Sequence, residues 1–159
     1  QEQNQLVVMV GLPASGKSTM TRDYQRRGYQ VVNPDSIRLR FGIQYSGELE
    51  KEIWTIAYAE LKGFLKLGKD VVFDATNLTR SQRKPLIKIA KSYGAAVTAH
   101  TVYLPLELCL ERNQEREAPV PRETIIKKEK MLIPPTGEEG FDQIVETRGS
   151  TCGKYNGSV

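Results

Sequence analysis

The stretch that decides the fold runs from Leu6 to Thr19, "LVVMVGLPASGKST". A short apolar, β-branched run ends at Gly11, which reads as a buried strand. After four intervening residues come Gly16, Lys17 and Ser18. The segment from Gly16 to about Gly28 has the pattern of a helix, with Gly28 as its stop. A strand, a glycine-spaced loop and a helix in that order can cradle phosphates. The glycines let the backbone wrap tightly, successive N–H groups point inward, and the helix N-terminus adds partial positive charge. Gly11, Pro13, Ala14, Ser15, Gly16, Lys17, Ser18 and Thr19 are therefore the candidate ATP contacts. Lys17 is placed to reach the β- and γ-phosphates, and Ser18 to hold Mg²⁺ through its hydroxyl. The competing reading is a strand-to-helix turn that binds nothing. The flanking elements favour a nucleoside-triphosphate site. No N-K-x-D stretch occurs, so ATP is the expected nucleotide rather than GTP.

Outward from this loop, strands and helices alternate. Gln30–Val32 reads as a second strand, and Glu48–Leu67 as a helix with apolar residues at helical spacing. Asp70–Asp74 reads as a third strand and Thr79–Tyr93 as a helix. Ala95–Leu104 reads as a fourth strand, followed by a helix opening at Pro105. Glu123–Leu132 is helical again, "IPPTGEEG" is a loop, and "FDQIVET" is a fifth strand. Alternation of this kind predicts an α/β domain with a parallel sheet of about five strands flanked by helices. One domain accounts for all 159 residues, with a core of about 6–147 and a loose tail over 148–159.

Composition sets the outer limits. Apolar residues make up 39% and charged residues 26%, an ordinary balance for a globular domain. No apolar run approaches the ~18 residues of a membrane span. "QEQNQLVVMV" has no basic region and does not read as a signal peptide. Cys109 and Cys152 are too few and too far apart for a disulfide or metal framework, which favours a reducing, cytoplasmic setting. The formal net charge of +4 suits a polyanionic partner without demanding one.

Several residues beyond the loop are chemical candidates. In "VVNPDSIRLR" an acid, Asp35, stands three residues before Arg38 after a short strand. Alone, Asp35 is as consistent with helix capping as with catalysis. Asp74 ends an apolar strand, where an acid commonly sits beside Mg²⁺. Thr76 and Asn77 follow at the edge that lines the ligand crevice of open α/β sheets; turning the chain is their alternative role. Arg80, Lys84, Lys88 and Lys91 share a helix face, with Arg83 close by. That face is either solvated or a track for nucleic-acid phosphates. "LCLERNQEREAPVPR" carries Arg112, Arg116 and Arg122 and reads as a helical lid with a Pro-rich loop. Its arginines either cover charge built up in phosphoryl transfer or pair with surface glutamates. His100, the only histidine, sits in an apolar strand and reads as a core residue, leaving no support for Ser-His or Cys-His chemistry. Trp54 and Tyr58 are one helical turn apart; packing is their default reading, and stacking on a base is the alternative.

With "GLPASGKST", "NPDSIR", "DATN" and "RNQER" in this order, the chain resembles the 5′-kinase domain of polynucleotide kinases over roughly Leu6–Thr147. The resemblance implies a phosphate-loop kinase fold with ATP and Mg²⁺. It implies Asp35 as the general base, Arg38 as a clamp on a phosphate of the acceptor strand, and Thr76 and Asn77 at the catalytic centre. Arg116, supported by Arg112, matches the lid arginine on the ATP phosphates. Lys17, Asp35 and Arg116 are thus the expected catalytic residues. Ser18 and Asp74 are the expected metal ligands. Arg38, Thr76, Asn77 and Arg83 are the expected acceptor contacts, and a nucleic-acid 5′ end is the expected partner. The absence of a D-x-D pair speaks against an accompanying 3′-phosphatase. A small-molecule kinase, a kinase of a modified base in DNA, and a regulatory ATPase that binds RNA or a protein remain alternatives.

Overall fold

The computed structural model describes residues 3–44, 47–151 and 154–156, and the side chains of these up to residue 149. Its strands are β1 (Gln5–Val10), β2 (Gln30–Val32), β3 (Val71–Phe73), β4 (Ala96–Tyr103), β5 (Gln143–Thr151) and β6 (Lys154–Asn156). They form one sheet in the order β2-β3-β1-β4-β5-β6. The first five are parallel and β6 runs antiparallel to β5. The helices are α1 (Lys17–Arg26), α2 (Pro34–Arg40), α3 (Glu50–Lys66), α4 (Arg80–Ser92), α5 (Leu106–Gln114) and α6 (Arg122–Met131).

Leu6–Val10 of β1 and all of β3 are apolar because both their faces are covered. Leu6, Val8 and Val10 point to one side and join Phe73, Val97 and Ala99 against α3 and α4. Val7 and Met9 point to the other and meet Tyr24 of α1. On α3 the buried residues are Ile53, Ala57, Leu61 and Leu65, a four-residue spacing that keeps one stripe against the sheet. Each such aliphatic side chain contributes roughly 1.5–3 kcal/mol on burial. A satellite core lies above the sheet, where Cys109, Leu110 and Ile125 of the lid helices pack on Leu12, Leu78 and Leu104.

Chain order makes the crevice. From β1 the chain crosses to β2 at one edge, whereas from β3 it crosses over β1 to β4. The two connections leave in opposite directions, and ligands bind at such a switch point beyond the carboxyl ends of the strands. The Gly11 N–H donates to the Thr76 carbonyl at 3.1 Å, closing the β1 and β3 ends onto each other.

Two expectations change. The loose tail is replaced by strand wherever the chain is described: β5 continues to Thr151 and β6 pairs back on it, while residues 152, 153 and 157–159 lie outside the described set. The Gly- and Ser-rich composition reads as coil, but the ladder with β4 extends to the Tyr103–Arg148 pair and carries the strand onward. Capping of α2 falls to Asn33, whose side-chain oxygen accepts the Asp35 N–H at 2.8 Å. This leaves the Asp35 carboxylate available for other work.

His100 is a core residue as expected, 6% exposed. Its ring nitrogens are hydrogen-bonded to the Tyr24 hydroxyl at 2.7 Å and the Thr147 hydroxyl at 2.8 Å. Burial pushes its pKa down to about 4 from 6.5. The unfolded chain therefore binds the proton more readily, so this site stabilises the fold fully above about pH 6.5 and progressively less as the pH falls towards 4. Urea unfolding of His100→Gln is expected to show a shallower loss of stability between pH 6.5 and 4 than the wild type; identical slopes would place the titration elsewhere.

Candidate active site

The loop after β1 is held in a conformation that few residues tolerate. Ala14 has φ 64° and Gly16 has φ 106°. A Cβ at Gly11 would lie 2.7 Å from the Val102 carbonyl oxygen and 2.9 Å from Ser15 Oγ, closer than side-chain carbons approach. Gly16 starts α1 without a side-chain cap, and no acid occupies the helix's first turn. The α1 N-terminus therefore keeps a favourable field for an anion. The Lys17 ammonium donates to the carbonyls of Gly11 (2.9 Å) and Leu12 (2.8 Å). Its pKa is lowered to about 8, first by burial and against the opposing pull of Asp74.

Asp74, the residue after β3, is buried, and burial raises its pKa despite the Lys17 ammonium and the Thr21 hydroxyl beside it. The exposed Ser18 and the buried Asp74 line one cleft of about 360 Å³, together with Thr21, Asn33 and Ser36. Among the described residues no cluster of three or more His, Cys, Asp or Glu could hold a metal alone. A hydroxyl and a carboxylate fit an ion that takes its other ligands from phosphate oxygens and water.

Asp35 lies past the end of β2 with its side chain 86% exposed. Its charge acts on both Lys17 and Asp74, so the structure brings these groups together. Arg38, one turn on, donates a short hydrogen bond to Asp35 Oδ1. Its other edge meets Glu50 of α3, with Nε donating to Oε2 at 2.8 Å and Nη2 making a short bond to Oε1. Arg38 is buried, and its guanidinium meets the carboxylates of Asp35 and Glu50.

Two expected acceptor contacts, Arg83 and Asn77, turn side-chain donors to the interior. Arg83, next to the basic face of α4, is fully buried. It donates from Nε and Nη2 to both Glu139 carboxylate oxygens (2.8 and 2.9 Å), and from Nη1 to the carbonyls of Asn77, Leu78 and Ile133. The Glu139 carboxyl would rise through burial, but hydrogen bonds from Arg83 and the Thr136 N–H bring its pKa below the ordinary value. The Asn77 NH₂ group donates to the Met9 carbonyl at 2.8 Å from a left-handed backbone position (φ 45°), while its side-chain oxygen is buried without a hydrogen-bond partner among the described residues. That donation staples β1 to the β3–α4 loop. Arg116 sits exposed in the turn after α5, and Arg112 is half-buried beside Cys109. The Pro-rich loop is closed at its base, where the Asn113 side chain exchanges two hydrogen bonds with the Val120 backbone (2.7 and 2.9 Å).

The cation that the lid does bring to the centre is Lys128 of α6. Burial lowers its pKa, and it interacts with Asp35, Arg38 and Glu50 on one side and Lys17 on the other. Ile125, one turn earlier, is buried against Leu12 and Leu78. That packing turns the shared helix face, and Lys128 with it, to the phosphate loop. In sequence Lys128 belongs to the run "KKEK", and only the Ile125–Lys128 spacing could have separated it from its neighbours.

Residues 6–132 match the AAA_33 family, described as an AAA domain. The chain belongs to this family. Its fold is that of the phosphate-loop kinases. An L-seryl-tRNA(Sec) kinase of Methanococcus maripaludis is 30% identical over 76% of this chain and 49% of its own length. A bifunctional polynucleotide phosphatase/kinase of Schizosaccharomyces pombe is 30% identical over 91% of this chain and 34% of its own length. The solved structure of a Pnkp1/Rnl/Hen1 RNA repair complex superposes with TM-score 0.75 at 26% identity, covering 83% of this chain and 45% of that one. The chain thus spans half or less of these relatives. No helix among the described residues is long and apolar enough to cross a membrane.

Removing one partner of a buried, fully hydrogen-bonded ion pair costs about 3–5 kcal/mol. Arg83→Met is expected to lose that much in urea unfolding. Full stability in that variant, with weakened acceptor binding instead, would return Arg83 to the acceptor surface.

Proposed function

We propose that the domain transfers the γ-phosphoryl group of ATP to the 5′-hydroxyl of a DNA or RNA end. The observation that carries this reading is the placement of Asp35. An exposed carboxylate stands at the crevice edge within electrostatic reach of Lys17, and Arg38, itself held by Glu50, fixes its orientation. The acceptor hydroxyl oxygen attacks the γ-phosphorus while the bond to the β-phosphate oxygen breaks. Asp35 takes the hydroxyl proton, and ADP leaves with the electron pair. Lys17 and the α1 N-terminal amides hold the phosphates. Lys128, with Arg112 and Arg116 on the lid, supplies positive charge where negative charge develops. Ser18 and Asp74 would hold Mg²⁺, which would supply positive charge against the phosphates. An acceptor phosphate competes with Glu50 for the Arg38 guanidinium, so acceptor binding and base orientation share one side chain. Positioning and electrostatics carry the acceleration. Restoring a 5′-phosphate prepares an end for sealing, which places the activity in nucleic-acid repair.

The likeness to the Schizosaccharomyces polynucleotide phosphatase/kinase supports a polynucleotide acceptor. The likeness to the seryl-tRNA kinase favours a second reading, in which the acceptor hydroxyl is on an aminoacyl group carried by tRNA. An acceptor screen with radiolabelled ATP separates them. A 5′-hydroxyl oligonucleotide, a seryl-tRNA, nucleosides and sugars are offered in parallel, and label on the oligonucleotide 5′ end is expected. Label confined to the tRNA or to the small molecules would overturn the first reading.

Asp35→Ala is expected to lower the rate of transfer by about 10²–10⁴-fold, the range for a general base, while ATP binding measured by calorimetry persists. Transfer near the wild-type rate would remove Asp35 from the role.

A further inference from the structure

A second cleft, of about 310 Å³, lies between α3 and the start of α4, lined by Trp54, Tyr58, Ser81 and Gln82. Neither the phosphate loop nor the metal pair reaches it. We propose that this cleft is a subsite for the first unpaired nucleobases of a single-stranded polynucleotide acceptor, with Trp54 and Tyr58 as its stacking surface. The proposal rests on the polynucleotide reading above and adds where the strand lies.

Three observations converge. The first is the stripe on α3. Glu50, Trp54 and Tyr58 follow at four-residue spacing, so they share one helix face, about 5–6 Å apart along the axis. The first of them holds Arg38, which holds Asp35. The stripe therefore leads away from the reacting hydroxyl by one aromatic ring per turn. The second is ring geometry. One face of Trp54 is stacked on Phe73, with centroids 5.7 Å apart and planes 26° apart. The rest of the half-buried indole lines the cleft. Trp54 and Tyr58 lie 5.8 Å apart with their planes tilted by 53°. Rings so tilted receive splayed bases one at a time, as single strands present them.

The third observation is the polar wall. Gln82 spends its side-chain oxygen on the N–H groups of Leu78 and Thr79. This fixes its amide plane and leaves the NH₂ group as a donor for a base edge. Ser81 begins a ridge that continues through the exposed Lys84 and Lys88, and no acid interrupts the sequence from Leu78 to Tyr93. Aromatic rings beside such a cationic ridge match a chain of bases on a phosphate backbone; an acidic peptide would use the lysines but has no need of the rings.

Trp54 is the only tryptophan in the chain, so its fluorescence reports on the cleft directly. Wild-type protein titrated with a 5′-hydroxyl hexanucleotide of DNA, and separately of RNA, is expected to show saturable quenching, weaker with a nucleoside 3′-phosphate. Tyr58→Ala is expected to raise the oligonucleotide Kd by roughly tenfold to a hundredfold, the worth of one stacked base. Tyr58→Phe is expected to restore it. An oligonucleotide that is phosphorylated without perturbing Trp54 emission, or that binds Tyr58→Ala as tightly as wild type, would overturn the subsite. Quenching by an oligonucleotide that is never phosphorylated would support the subsite and overturn the 5′-kinase reading alone.

Discussion

The arrangement of the site depends on one buried guanidinium. Arg83 has no exposed surface, and an ion so placed forfeits its hydration. It is retained because every edge is used: two carboxylate oxygens of Glu139 and three carbonyls from two separate segments. Those carbonyls belong to Asn77 and Leu78, just after β3, and to Ile133, just after α6. The Ile133 N–H also donates to the Leu78 carbonyl at 2.9 Å. Arg83 thereby ties the loop behind the phosphate cradle to the exit of the lid. The lid's return is fixed there, and Lys128 lies on that returning half.

The phosphate loop poses the opposite problem, because its constraint comes from space rather than charge. Left-handed backbone at Ala14 costs energy that a non-glycine residue does not recover locally. Gly11 must lie against the Val102 carbonyl. Such a conformation persists only when its surroundings over-determine it. The surroundings here are Leu12 in the satellite core, the Gly11–Thr76 hydrogen bond and the Asn77 staple to Met9. The loop's conformation is thus held by contacts outside it.

These contrasts explain what the sequence makes legible. β1 and β3 are legible because strands buried on both faces are apolar runs, and the loop is legible because glycine spacing follows from backbone sterics. Asp35 is legible once β2 places it at the crevice edge. Arg83 is not, because nothing local separates it from Arg80 and Lys84, and the partner that buries it is 56 residues away. Its helical phase was the available hint: Arg83 shares a face with Leu86, Ile87 and Ala90, all buried, whereas Lys84, Lys88 and Lys91 are exposed. Lys128 is hidden among lysines for the same reason, since its position is set by how Ile125 docks. The tail misleads by composition, because an edge ladder is set by the neighbouring strand rather than by β-propensity.

Placing the acceptor stripe on α3 has a mechanical consequence. The helix lies on the core through Ile53, Ala57 and Leu61, each 1% exposed or less, so it cannot slide or rotate without opening the interior. Glu50, Trp54 and Tyr58 are carried by the same rigid body. A base stacked at Trp54 is therefore held in fixed register with Glu50, and through Glu50 with Arg38 and Asp35. On the proposed reading, an acceptor strand that fits the rings would bring its terminal hydroxyl to the base without any separate closing motion. Specificity for a single-stranded end and the geometry of proton removal would then have one physical origin, the packing of a single helix on β3.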